Sequence, residues 1–140
     1  MNNTINIAVV GLGQVGIYLL NELNTKKKEI ELKTGKKINV VAVSAKNIKK
    51  KRQFKVNKKI FFKNPLEIFN KKKVDILFEA IGLSDGISKK VVETALKKKI
   101  HVITPNKALI SKHGNELAKI AELNKSPLRG VVFISFNTSK

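Results

Sequence analysis

An apolar run from Ile5 to Val10 leads directly into Gly11-Leu12-Gly13-Gln14-Val15-Gly16, and apolar residues at helical spacing follow. Three of the chain's eight glycines fall in this one turn. A strand that passes into a helix through Gly-x-Gly-x-x-Gly has little freedom in what it can build. The first glycine permits a tight turn, the second lets a ligand's pyrophosphate approach the backbone, and the third lets the helix pack closely on the sheet. The helix start then presents free N–H groups and the positive end of its dipole to phosphates. The bare glycine pattern also arises by chance; the strand before it and the helix after it supply the weight.

Beyond this turn, strand and helix patterns alternate, which predicts an α/β domain: a doubly wound, mostly parallel sheet of Rossmann type in three αβα layers. Strands are expected at Ile5–Val10, Ile38–Val43, Ile60–Phe62, Val74–Ile81, Ile100–Thr104 and Val131–Phe136. One long helix is expected from Gln14 to about Leu32, with Val15, Leu19, Leu23 and Ile30 as its apolar stripe and Gly35 ending it. Asn64 and Pro65 start a short helix, and Ser88–Lys98 is amphipathic. A further helix runs from about Lys107 to Asn124, with a break expected near Gly114. Residues 46–59 read as a lysine-rich loop. Glu79 lies inside an otherwise apolar strand and needs a partner. The chain's 140 residues fit one domain, divided here into a nucleotide-binding unit at 1–125 and a divergent C-terminal strand and tail at 126–140.

The formal net charge of +19 suggests nucleic acid or an anionic membrane when taken alone. The basic residues are almost all lysine, however, with only Arg52 and Arg129 as arginines. Lys, Asn and Ile are what an A/T-rich coding sequence favours, and arginine forks and stacking aromatics are scarce. Sequence-independent, salt-sensitive sticking to nucleic acid is expected, and specific recognition is not. No apolar run is long enough to span a bilayer, and no secretory signal is recognised. The absence of cysteine excludes disulfides and thiolate chemistry. A cytoplasmic location is the default, and no metal site is expected. His101 and His113 read as structural or surface residues, since neither has a nearby carboxylate arrangement that suggests a metal or a catalytic relay.

In a doubly wound sheet, ligands sit beyond the carboxyl ends of the strands. Four such ends matter. The glycine turn offers Gly11, Gly13, Gln14, Val15 and Gly16 to a dinucleotide. Ser44-Ala45-Lys46 follows the second strand without the acid that would favour NAD there; Lys46 suits a ribose 2′-phosphate, hence NADP, against the alternative of a solvated lysine loop. Gly82 and Ser84 follow the Val74–Ile81 strand, on the path toward the nicotinamide ribose or simply as a helix-capping turn. Asn106 and Lys107 follow the next strand, with Asn106 capping a helix and Lys107 placed to stabilise negative charge at the reactive end of the cofactor.

These residues resemble a known family. The glycine turn, Val40-Val41-Ala42-Val43, Asn64-Pro65-Leu66-Glu67, Asp75-Ile76-Leu77-Phe78-Glu79, Ile81-Gly82 and His101-Val102-Ile103-Thr104-Pro105-Asn106-Lys107-Ala108-Leu109-Ile110 recur in order in the N-terminal nucleotide-binding domain of homoserine dehydrogenases. Asn106-Lys107-Ala108-Leu109 followed by His113-Gly114 is more specific than the glycine turn. The likeness covers about residues 5–125. It implies an oxidoreductase that interconverts aspartate semialdehyde and homoserine with NADP or NAD, on the route to threonine and methionine. It also implies that Gly13, Gln14, Val15 and Gly16 contact the pyrophosphate and that Lys107 is the catalytic lysine beside the nicotinamide.

From about Ser126 the resemblance stops, where family members continue into a substrate domain. The chain is therefore expected to bind a nicotinamide dinucleotide but to be inactive alone, and to meet a small-molecule substrate only when a substrate domain is supplied. Apolar residues at Val131–Phe136 suggest weak homo-oligomerisation. The alternative function is a non-catalytic, dinucleotide-binding regulatory module on the same fold.

Overall fold

The computed structural model describes residues 3–47 and 56–124 and the backbone of 131–133. Six strands form one sheet: β1 (Thr4–Val10), β2 (Lys37–Ser44), β3 (Phe61–Phe62), β4 (Ile76–Glu79), β5 (His101–Thr104) and β6 (Val131–Phe133). Their order is β3-β2-β1-β4-β5-β6 and every pairing is parallel. The order reverses direction at β1, so the glycine turn leaves the sheet at the topological switch point, where such sheets bind ligands. No helix among the described residues is long and apolar enough to cross a membrane.

Alternation along β1 explains the two-sided core. Ile7 and Val9 face one apolar cluster, with Leu12, Leu20, Ile38 and Val43. Ala8 and Val10 face the other, with Leu77, Val91, Val102, Leu109 and Leu117. A central parallel strand is covered on both faces, so it reads as a near-continuous apolar run rather than an alternating one. The first face is covered by α1 (Gln14–Thr25) and α2 (Lys27–Thr34), and the second by α3 (Ile68–Lys71), α4 (Ile87–Lys97) and α5 (Lys107–Leu123). A register shift between Ile7 and Ala8 brings Val10 level with Ser44, so β2 ends beside the glycine turn.

The single long helix expected over Gln14–Leu32 is two helices, interrupted at Lys26. Gly16 and Leu20 are the buried residues of α1, while α2 buries none. With a lysine run and little apolar surface, α2 is held by a polar clip instead. Lys27 Nζ donates to the Ile38 carbonyl (2.6 Å) and to Glu31 (2.8 Å), and Glu31 accepts from the Ile38 N–H (2.9 Å). The break expected at Gly114 is absent, since α5 runs unbroken for 17 residues. A helix-interior glycine costs about 1 kcal/mol. The buried Leu109, Leu117 and Ala121, with Asn106 as N-cap, outweigh it. Asn64 caps the turn at Pro65–Glu67 as its sequence suggests, accepting from Leu66 N–H.

Candidate functional site

The glycine turn is wedged between two strand ends. The Gly11 N–H donates to the Ser44 carbonyl (2.8 Å), and the Ala80 N–H donates to the Val10 carbonyl (2.7 Å). Gly11 has φ +96°, a conformation L side chains rarely adopt, and a Cβ there would lie 2.4 Å from the Ala80 carbonyl carbon. Gly16 is as confined: a Cβ would meet the Gly11 carbonyl oxygen at 1.9 Å. The third glycine therefore permits α1 to sit on the turn's own backbone rather than only on the sheet. Gly13 differs from both, because a Cβ there would meet nothing within 4 Å.

That open volume lies at the start of α1. Gly13 is the N-cap, no side chain caps the helix, and the first turn carries no acidic residue. The first N–H groups of a helix have no partner within it, and with the dipole they attract anions. The arrangement of Gly13, Gln14, Val15 and Gly16 therefore suits a phosphate or pyrophosphate, with bare backbone where the ligand must approach. Ser44, nearly buried, fixes the end of β2 through its carbonyl, and Lys46 emerges two residues later as an exposed side chain.

The ends of β4 and β5 are fastened by the partner that Glu79 requires. Its carboxylate is fully buried. One oxygen accepts from Thr104 Oγ1 (2.6 Å); the other accepts from the Ile81 and Gly82 N–H groups (3.0 Å each) and from Asn106 Nδ2 (3.3 Å). Asn106 also donates to the Leu83 carbonyl (2.7 Å) and caps α5 by accepting from the Leu109 N–H (3.0 Å). The Leu83 N–H donates to Ser88 Oγ (3.0 Å). With the Ala80 N–H on Val10, four consecutive N–H groups after β4 are thus committed inside the protein. Gly82, exposed at φ +89°, offers a ligand shape and carbonyl acceptors rather than a phosphate cradle. That suits ribose hydroxyls or an amide.

Lys107 is exposed at the first position of α5. A cation at a helix N-terminus opposes the dipole, typically by about 0.3–1 kcal/mol. The site accepts that cost and gains a concentrated positive field at its open end. Ser84 points elsewhere: its hydroxyl donates to Asp85 (3.0 Å). Asp85 in turn pairs with Lys112 (2.5 Å) and His113 Nε2 (2.7 Å). The Lys112 and His113 hydrogen bonds hold the Asp85 carboxyl well below the usual carboxylate range. His113 thus joins an ion-pair cluster with Asp85 and with Glu116, 4.0 Å from Nδ1, which fits its reading as a structural residue. Lys112 and His113 lie 27 and 28 residues from Asp85, which local spacing does not reveal. His101 sits in β5, and burial lowers its pKa while Asp75 opposes the shift.

The structure brings together the glycine turn, Ser44, Gly82 and Asn106 at the carboxyl ends of adjacent strands, with Lys46 and Lys107 beside them. Sequence reasoning gave Thr104, at the end of β5, no role of its own and did not single out Ser88, which is buried in the first turn of α4, where nothing local marks it. A cavity of about 280 Å³ between α1 and β2, lined by Leu20, Leu23, Val43, Val56 and Ile60 among others, contains none of these residues. Lys49, Lys50, Lys51 and Arg52, the basic run after Lys46, lie outside the described residues.

A wholly parallel sheet with a glycine turn at its switch point, leading into an uncapped helix, defines a dinucleotide-binding domain of the Rossmann type. Residues 11–129 match the family model of the homoserine dehydrogenase NAD-binding domain, and the chain belongs to that family. It is similar to the homoserine dehydrogenase of Neisseria gonorrhoeae, 34% identical over 118 residues, which cover 84% of this chain and 27% of that protein. The Bacillus subtilis homoserine dehydrogenase is 28% identical over 120 residues, covering 86% of this chain and 28% of that one. A crystal structure of Staphylococcus aureus homoserine dehydrogenase at pH 6.0 superimposes with TM-score 0.83 and 30% identity, covering 96% of this chain and 34% of that one. The chain thus spans about a quarter of the length of these curated relatives, 27% and 28%.

Proposed function

We propose that this chain is the cofactor-holding part of a homoserine dehydrogenase activity, with NADP as its preferred dinucleotide. The observation that carries the reading is the open volume at Gly13, set against an uncapped helix start. In this arrangement Gly11, Gly13, Gln14, Val15 and Gly16 take the pyrophosphate. Ser44 and Lys46 take the adenosine ribose and its 2′-phosphate. Gly82 and Ser84 border the nicotinamide ribose, Ser84 through its backbone because its hydroxyl is engaged by Asp85. Asn106 holds the turn that presents Lys107. When bound, the dinucleotide supplies or accepts the hydride. Lys107 contributes positive charge to the developing oxyanion of the substrate carbonyl.

The reaction is the interconversion of aspartate semialdehyde and homoserine, in the cytoplasm and on the route to threonine and methionine. Hydride transfer also needs the substrate held against the nicotinamide with a proton donor in reach. Lys107 alone does not provide that, so the 140 residues by themselves are expected to bind the cofactor without turnover. Calorimetric titration with NADPH and NADH, beside an assay of semialdehyde-dependent NADPH oxidation, tests the reading. Failure to bind either dinucleotide overturns it, and turnover by the isolated chain overturns the assignment of roles.

The cofactor preference rests on Lys46, which emerges from a strand end pinned to the glycine turn. Lys46→Asp is expected to weaken NADPH binding about tenfold, the loss of one charge-assisted contact plus repulsion, and to leave NADH unchanged or improved. Titrations at several salt concentrations check it, because a screened, non-specific attraction fades with salt for both dinucleotides alike. Equal affinities of the unmodified chain for NADPH and NADH would remove the preference.

A further inference from the structure

Glu79 is the one fully buried carboxylate among the described residues. It lies behind the loop and the turn that the proposed function assigns to the nicotinamide end. Four donors converge on its two oxygens: two backbone N–H groups from the loop after β4, Thr104 Oγ1 at the end of β5, and Asn106 Nδ2 at the start of α5. An ionised carboxylate is an acceptor-only group, so it matches four donors. A glutamine does not. In one amide orientation its NH₂ faces the Ile81 and Gly82 N–H groups. In the other it faces the Thr104 hydroxyl, which can accept from it beside the Asn106 N–H at 2.9 Å but loses the carboxylate oxygen that took its own proton.

We infer that Glu79 is a positioning residue for the nicotinamide end of the site: it locks the Gly82 loop and the Asn106–Lys107 turn into one unit. Asn106 extends the lock, since the same Nδ2 group also reaches the Leu83 carbonyl. Two otherwise separate loops, 25 residues apart in sequence between Glu79 and Thr104, thereby keep a fixed spacing. The adenosine end, at Ser44 and Lys46, makes none of the four hydrogen bonds to Glu79. It is set by the hydrogen bond from Gly11 to Ser44.

The inference rests on the proposed dinucleotide site, and the asymmetry between its two ends provides the test. Glu79→Gln is titrated with adenosine 2′,5′-bisphosphate, the adenosine half of the cofactor, and with NADPH, whose nicotinamide fluorescence reports the other end. The expected result is an unchanged affinity for the bisphosphate, an affinity for NADPH lowered about tenfold, and loss of the fluorescence change on binding. Because Glu79→Gln places an amide in the core, Asn106→Ser provides a second probe. Serine still caps a helix but lacks the Nδ2 bonds to Glu79 and Leu83, so the same split is expected. Variants that lose both ligands equally, or neither, overturn the inference while the dinucleotide reading stands. An unmodified chain that binds neither ligand overturns both.

Discussion

Gly13→Val is expected to abolish dinucleotide binding while leaving the domain nearly as stable as before. The two halves of that expectation have separate physical grounds. A Cβ at Gly13 meets no protein atom within 4 Å, and its backbone, φ −79° and ψ −158°, lies in the extended region that valine adopts readily. The cost to folding is therefore limited to a poorer N-cap, about 1 kcal/mol. The same emptiness is where the pyrophosphate would approach the first N–H groups of α1. Displacing it forfeits at least two charge-assisted hydrogen bonds at about 1.5–3 kcal/mol each, which is a hundredfold or more in affinity. Urea denaturation and calorimetry with NADPH read the two quantities independently. Unchanged affinity in a folded variant would show that the pyrophosphate does not sit at Gly13.

The glycine turn was legible because everything that defines it is local: a strand, three glycines and a helix within about twenty residues. The Asn64 and Asn106 caps were legible for the same reason, since each bonds a backbone N–H two or three residues away. Legibility failed where the deciding partner is distant. Nothing near Lys26 announces the helix break, because α2 is placed by the clip of Lys27 and Glu31 on Ile38, across the turn into β2. Gly114 looked like a break when weighed by propensity alone, and tertiary burial of its neighbours overrode it. Glu79 could be recognised as a buried acid in need of a partner. That its donors are Thr104 and Asn106 required the pairing of β4 with β5. Strand existence, order of elements and the strand-end residues were thus readable, while the polar fastening behind them was not.

The same contrast gives the largest expected effect on stability, at the third glycine. Gly16→Ala adds one methyl group to a helix, and by propensity alone it would stabilise the domain by about 1 kcal/mol. Its Cβ, however, would lie 1.9 Å from the Gly11 carbonyl oxygen and 2.9 Å from the carbonyl carbon. Gly11 has no room to retreat: it is held by the Ser44 carbonyl at 2.8 Å and backed by the Ala80–Ile81 peptide. Either α1 lifts off the turn, exposing Leu20 and the cluster it packs against, or the switch point of the sheet distorts. Overpacking against backbone costs about 3 kcal/mol or more, a large part of the 5–15 kcal/mol typical of a whole domain, so the clash outweighs the propensity gain. Gly114→Ala is the control, with the same helical gain. Its Cβ would meet only the Ile110 Cγ2 methyl at 3.4 Å, the edge of ordinary van der Waals contact. The expected result is a urea midpoint lowered strongly by Gly16→Ala and slightly raised by Gly114→Ala, each with an unchanged denaturant slope. A Gly16→Ala domain as stable as the unmodified chain would mean that α1 does not rest on the Gly11 carbonyl, and the packing argument for the third glycine would fall with it.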